Sequence, residues 1–328
     1  MWILIRVLQE CLGPSVDDDL AAFFAALPSN SLSAFSIINR NRLGKASLDA
    51  LATGHSSSLR KLNLSALTAP AFERLGALSS CTRLTSLALE ASQPASFDWE
   101  GNFKHSFLQL AALLRDLSTL TRLQLVNVPG ATTLLGRVLK SPNLRLTDLN
   151  LELCEDDGDK DFYSSLAHQA DLAAFSLRSR GDPLDPATMQ HAQLVRSLCR
   201  LRALKKLDLM QTPLTEENIR DLGETLLLLE EFSFDGDDFQ DDVLATLARF
   251  PRLRTAIINA TSCFTFDALL DFIDSLQRGD DHHRGFGLYI MNQLGTKKFS
   301  QDEEDVLAQN MLAAVGGTLE ICKICFPP

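Results

Sequence analysis

Nine times along this chain a leucine is followed by apolar residues three and five positions on. The leading leucines are Leu32, Leu59, Leu84, Leu120, Leu146, Leu172, Leu204, Leu229 and Leu253, spaced 24 to 36 residues apart. Five copies are all leucine: Leu59-Leu62-Leu64, Leu84-Leu87-Leu89, Leu120-Leu123-Leu125, Leu146-Leu149-Leu151 and Leu204-Leu207-Leu209. The other four end in Phe35 and Ile37, Phe175 and Leu177, Phe232 and Phe234, or Ala256 and Ile258. Self-similarity on this period marks stacked repeats, since one unit cannot bury both its faces alone. Alternate strand residues share a face, so the fourth and sixth positions of each copy point to one side.

The segment Leu204–Leu222 shows how one unit is built. Leu207 and Leu209 lie on one strand face. Pro213 is expected to stop the ladder, because it has no N–H to donate. Thr215 then caps a helix whose first turn holds Glu216 and Glu217 at the positive end of its dipole. Ile219 and Leu222 supply that helix's apolar stripe. Elsewhere the same helical spacing recurs in Phe107, Leu110, Leu113, Leu114 and Leu117, in Val243, Leu244 and Leu247, and in Leu269, Leu270, Phe272, Ile273 and Leu276. A helix between strands returns each one to the same end, so the strands run parallel through right-handed crossovers. The expected fold is an α/β solenoid with a parallel sheet on its concave side and helices on its convex side.

Weaker copies extend the pattern to both ends. Trp2-x-x-Ile5-x-Val7 precedes a helical stretch from Asp17 to Leu27, and Gly285-x-x-Leu288-x-Ile290 and Leu319-x-x-Cys322-x-Ile324 close the chain. The reading is one solenoid over residues 1–328 with about 11–12 repeats. Residues 1–31 form a partial first repeat or cap, and residues 285–328 form degenerate repeats or a cap. A repeat at the very start leaves an open strand edge, which fits a piece of a longer product. Long intervals place insertions at Ala91–Ser106, Arg178–Met189 and Gln277–Arg284, and such insertions become loops on one face.

This recurring strand motif resembles the leucine-rich repeat family, nearest its ribonuclease-inhibitor-like subclass. The family places Asn, Cys or Thr at the ninth position, where the side chain ties down the turn. Cys154, Thr212 and Thr261 match, and Ser92 can substitute; Arg40, Leu67, Val128, Arg180 and Asp237 do not. The resemblance implies a non-catalytic module that binds a protein partner through its concave face. It extends to the F-box proteins with leucine-rich repeats, which implies substrate recognition for a ubiquitin-ligase adaptor, although the F-box itself is not recognisable. The alternative it implies is a GTPase-activating protein of the repeat type.

The net charge is −11. That disfavours nucleic acid and anionic membrane as partners, since phosphate contact needs a basic face. No apolar run approaches the roughly 20 residues of a membrane span. Seven scattered cysteines favour reduced thiols over a secreted disulfide framework, and the expectation is a cytoplasmic or nuclear protein that is monomeric in itself. Asn63-Leu64-Ser65 and Asn259-Ala260-Thr261 match the glycosylation pattern by chance, inside strands.

The third, fifth and seventh positions of each copy point away from the core. They include Lys61, Asn63, Ser65, Glu90, Met210 and Asn259. Arg122, Asp148, Asn150, Glu152, Arg178, Lys206, Asp208, Glu231 and Asp235 are the candidate partner-binding residues, with Asp148, Glu152, Asp208, Glu231 and Asp235 as an acidic sector. Outward residues are also simply solvated, so exposure alone assigns no role to any one of them.

The acid runs Asp156–Asp161 and Asp235–Asp242 lack the closing bidentate Glu of a calcium loop, and read instead as loops whose aspartates cap the next helix. Cys322-Lys-Ile-Cys325 lacks a second ligand pair for zinc, and Cys322 is expected to face the core. Asp280-Asp281-His282-His283-Arg284 reads as a solvated loop. No nucleophile–base order, phosphate loop or metal motif stands out. The expectation is therefore no catalytic residues, no cofactor and no metal.

Overall fold

The computed structural model describes residues 2–6, 16–38, 43–92, 104–155, 160–180, 185–278, 283–293 and 299–322. The chain divides into two compact units, Met1–Leu172 with Ser179–Gly181, and Ala173–Arg178 with Asp182–Pro328.

The first unit holds strands β1 (Trp2–Arg6), β2 (Ala34–Ile38), β3 (Lys61–Leu67), β4 (Ser86–Ala91), β5 (Arg122–Val126) and β6 (Asp148–Glu155). Each is parallel to the next and pairs at the same template position: Ala34 with Lys61, Lys61 with Ser86, Ser86 with Arg122, and Arg122 with Asp148. The helices between them are α1 (Val16–Ala26), α2 (Lys45–His55), the short α3 (Ala69–Phe72) with a 3-10 turn at Leu75–Ser80, α4 (Lys104–Asp116), α5 (Ala131–Val138) and α6 (Lys160–Leu166). The core lies between sheet and helices. Leu62, Leu64, Leu87, Leu89, Leu123, Leu125, Leu149 and Leu151 are all buried, as are Phe107, Leu110, Leu113, Leu114 and Leu117 opposite them. Each such burial contributes about 1.5–3 kcal/mol against chain entropy.

The second unit repeats the plan with β7 (Ala174–Arg180), α7 (Met189–Leu198), β8 (Lys206–Leu214), α8 (Glu216–Thr225), β9 (Glu231–Phe239), α9 (Asp241–Leu247), β10 (Thr255–Ser262), α10 (Phe266–Arg278), β11 (Gly287–Gln293), α11 (Gln301–Val315) and β12 (Thr318–Cys322). These strands are also parallel and in sequence order. Thr215 caps α8 as expected: its side chain accepts from the Asn218 N–H at 3.2 Å, and the Asn218 side chain accepts from the Thr215 N–H at 3.0 Å. Ile219 and Leu222 are buried, and of the α10 stripe only Leu270 is half-exposed.

Pro213 does not stop its strand. β8 runs through to Leu214, and Pro213 pairs with Asp235 after a register shift. Gln211 absorbs the shift with φ 72°. A proline is tolerated at such a bulge, where a ladder N–H is not required, and its carbonyl is used by His191 Nε2 at 2.8 Å.

Both terminal copies are displaced from the sequence reading. In β1, Ile3 pairs with Phe35 and Ile5 with Ile37, so the copy starts two residues earlier than Trp2-x-x-Ile5-x-Val7 implies. A two-residue slip keeps every side chain on its face, so alternation cannot detect it. In β12, Leu319 pairs with Leu288 and Ile321 with Ile290. This three-residue displacement flips the faces. Cys322 is paired with Met291 and exposed, not turned into the core; Ile324 and Cys325 lie outside the described residues.

The eighth position explains the degenerate ninth. Ala66, Asn127, Leu153 and Gln211 all occupy it with φ between 52° and 72°, a left-handed conformation that turns the next residue inward. The Cys154 thiol then points at the Leu125 carbonyl at 3.4 Å; Ser92 is exposed and follows no left-handed residue, yet its hydroxyl donates to the Leu67 carbonyl at 3.1 Å. Asn127 performs the same tie from the eighth position, its side-chain N–H reaching the Ala91 carbonyl at 3.1 Å. Thr212 is buried as expected, but in the last matching copy Ser262 is buried and Thr261 is half-exposed. The bulge in β10 shifts the inward place by one residue.

Candidate functional site: the open face of the sheet

Strand alternation turns the third, fifth and seventh positions away from the helices, and adjacent strands bring like positions together. In the first unit this makes a row Glu90–Val126–Glu152, a row Ala88–Gln124–Asn150 and a row Ser86–Arg122–Asp148. Arg122 Nε lies 3.4 Å from Asp148 Oδ2, with both side chains exposed. The Asn150 amide donates to Glu152 Oε1 at 2.7 Å, while its own Oδ1 is buried without a partner. Partial burial, and then the charge of Glu152, push the Glu90 carboxyl above its ordinary value. Ser65 departs from the expected outward set. It is buried, and its hydroxyl donates to the Ile37 carbonyl at 2.7 Å.

The second unit's face is more tightly tied. Arg178 donates through Nε and Nη2 to Asp208 Oδ2 at 3.0 and 2.6 Å, and the Met210 N–H donates to the other Asp208 oxygen at 3.2 Å. Lys206 Nζ meets Glu231 Oε1 at 2.5 Å. Asp235 accepts from the Gln211 N–H and from the Asn259 amide, each at 2.6 Å. Burial raises the Asp235 carboxyl, assisted by the charges of Asp208 and Asp237 and opposed by those two hydrogen bonds.

Of the five acids in the expected acidic sector, three are therefore neutralised within the sheet, by Arg122, Arg178 and Lys206. Exposed pairs of this kind are worth about 0–1 kcal/mol, so their main effect is to hold side chains in place. Glu90, Gln211 and Asn259 belong with the named residues. Glu90 and Asn259 already occupied outward template positions. Gln211 had no signal, since it acts through a backbone N–H exposed by the bulge.

The aspartates after β9 do not cap α9. Asp241 instead accepts from the N–H and hydroxyl of Thr265, at 2.8 and 2.9 Å, bracing the start of α10 in the next repeat. Residues 156–159 and 279–282, and most of Ala91–Ser106, lie outside the described residues. His283 is buried, with Nδ1 3.0 Å from the Leu253 carbonyl. It lines a groove of about 680 Å3 beside Leu276, Arg284 and Leu312. Cys81 and Cys154 are pushed up to about 11, chiefly by burial. Among the described residues no group of three or more His, Cys, Asp or Glu is placed to hold a metal ion, and no helix is long and apolar enough to cross a membrane.

No family model matches the sequence, and no curated protein matches it. Solved structures do. The leucine-rich repeat-containing protein LegL7 from Legionella pneumophila is 15% identical and superposes with a TM-score of 0.51, over 96% of this chain and 98% of that one. The TLR13–ssRNA13 complex gives a TM-score of 0.48 at 14% identity and covers 89% of this chain, which spans only 39% of TLR13. The in-register ladder of leucine strands, with a neighbour matched along almost its whole length, establishes that this chain has the leucine-rich-repeat fold.

Proposed function

We propose that the chain is a non-catalytic protein-interaction module whose partner lies across the open face of the sheet. The observation that carries this reading is the pre-ordered polar surface of the second unit: Arg178–Asp208, Lys206–Glu231 and Asp235–Asn259 are fixed side by side on a rigid sheet. Side chains already held in one geometry lose less entropy when a partner docks. Repeat solenoids commonly bind through such a surface. Arg122, Asp148, Asn150 and Glu152 make up the corresponding face of the first unit. The net charge of −11 favours a protein over a nucleic acid as the occupant of this face. Adaptor service to a ubiquitin ligase and stimulation of a GTPase remain finer readings that rest on resemblance; copurification of a ligase linker protein, or accelerated GTP hydrolysis by a small GTPase, would support one or the other.

The test is affinity capture with the full chain and with Asp208→Lys/Glu231→Lys, which reverses the local sign and leaves Arg178 and Lys206 unpaired. Loss of a captured protein in the variant, with an unchanged melting curve, supports the reading. Capture of the same proteins by both forms sinks it for this sector.

A further inference from the structure

In the second unit the repeat also sorts charge between the two edges of the sheet. The three helix-to-strand turns before β8, β9 and β10 are residues 199–205, 226–230 and 248–254. They carry six cations and a single acid, Glu230, in a chain whose net charge is −11. Lys205 lies 3.7 Å from Glu230. Arg200, Arg202, Arg249, Arg252 and Arg254 are exposed, and among the described residues none makes an ion pair. In the turns of the first unit Arg83 donates to the Ser57 carbonyl, and Lys140 and Arg145 lie 3.1 and 3.8 Å from Asp161 and Asp171, while Arg60 before β3 is exposed as a single cation. A cation after a helix complements the helix dipole, but that effect accounts for one per helix and not for three in the turn before β10. Between the two arginine groups, in the turn before β9, sits Leu227, 55% exposed.

We propose that this basic edge docks an acidic protein segment that carries an apolar side chain between its acids. Arg202 and Arg252 precede strands two apart, which separates their backbones by roughly 10 Å. An extended peptide advances about 3.3 Å per residue, so acids three residues apart reach both arginines and an apolar residue between them covers Leu227. Guanidinium forks suit carboxylates bidentately. Single-stranded nucleic acid fits less well. Its bases stack on aromatic side chains, and the one aromatic in these turns, Phe250, is buried. A second copy of the chain fits less well too. Its acidic edge, Asp237, Asp238, Asp241 and Asp242, offers Phe239 as the intervening apolar residue, and Phe239 is buried.

The experiment is a fluorescence-anisotropy titration of the full chain with a labelled synthetic peptide of glutamates flanking two leucines. A matched peptide with serines for the leucines and an oligothymidylate of equal charge are run beside it. The peptide should bind in a salt-dependent way. Arg202→Glu/Arg252→Glu should weaken it at least about tenfold, Leu227→Ser about fivefold, and the serine peptide should bind correspondingly less. Glu152→Lys, on the open sheet face, should leave the titration unchanged, which separates this edge from the surface proposed above. Arg202, Arg252 and Leu227 are solvent-exposed, so the thermal melts of their variants should match wild type. Equal peptide affinity in the double variant, tighter binding of the oligothymidylate, or a dimer in sedimentation that the double variant dissolves would each overturn the proposal.

Discussion

Asp17 offers a sharp test of how one repeat is fastened to the next. It sits in the first turn of α1, yet its carboxylate serves the start of α2. It accepts from the N–H groups of Gly44, Ala46 and Ser47 at 2.8, 3.0 and 3.0 Å, and from the Ser47 hydroxyl. Those are orphan donors of a helix N-terminus. Asp17→Ala removes an ionised acceptor from all of them at once. One helix cap is worth about 1 kcal/mol and up to about 2, and hydrogen bonds to a charged group about 1.5–3. Gly44 and Ala46 are only half-buried, so water recovers part, and the expected loss is about 2 kcal/mol. Asp17→Asn keeps an acceptor but no charge and should lose about 1 kcal/mol. In urea unfolding with a slope of about 2 kcal/mol/M, the alanine variant's midpoint falls by about 1 M. The pH dependence is equally specific. Burial alone would raise the Asp17 carboxyl, but the Ser47 hydroxyl and the three N–H groups outweigh it and hold the group below its ordinary value. A carboxyl depressed in the folded state stabilises fully above about pH 4 and loses that contribution as pH falls through the lowered folded value. The gap between wild type and Asp17→Ala should therefore close on acidification. A cost under about 0.5 kcal/mol, or a gap unchanged down to pH 3, would refute the cap.

Further outcomes follow from the same packing. Leu207→Asp buries an unpaired charge in a core position that is 1% exposed; it should abolish the cooperative melt of the second unit, read by circular dichroism. Gly317→Ala would put its Cβ 2.1 Å from the Phe286 carbonyl oxygen, and a melting temperature equal to wild type would show that β12 does not pack as described. His191 is held below its ordinary value by burial, against the pull of the Pro213 carbonyl and the charge of Asp185. Its contribution is intact above about pH 6.5 and declines as pH falls below that, so the melting temperature of His191→Gln should fall less steeply on acidification than that of wild type. Cys322 should react rapidly with a thiol reagent in the folded protein, and Cys322→Ser should remove one fast-reacting group; slow reaction would restore the inward register.

The body of the fold was legible because repetition averages out local exceptions. Leu87, Leu123 and Leu149 each follow the same rule, and within each unit the interior strands pair at the position the leucines assign. Pro213 departs from the single-residue expectation because of the bulge at Gln211, which depends on a left-handed residue that is not a glycine and so leaves no mark in the sequence. The ends misled for a related reason. Ile3, Ile5 and Val7 are alternate apolar residues that fit the template at two registers on the same face, and the cysteine and isoleucines near Ile321 admit two on opposite faces.

Function was less legible because the template constrains inward residues and leaves outward ones free. The pairing of Asp208 with Arg178 spans 30 residues, and no local pattern connects them. They meet only because β7 and β8 are in register and because one carries its charge at the seventh position and the other at the fifth. The same logic applies to the arginines at the helix-to-strand turns. Along the sequence they are scattered singly and in pairs between helices, and each looks like an ordinary helix end. Stacking three turns side by side converts them into a row with a leucine in the middle. In a repeat fold the inward positions therefore report the architecture, and the residues that the template leaves free become readable as a surface only after the inward ones have set which residues are neighbours.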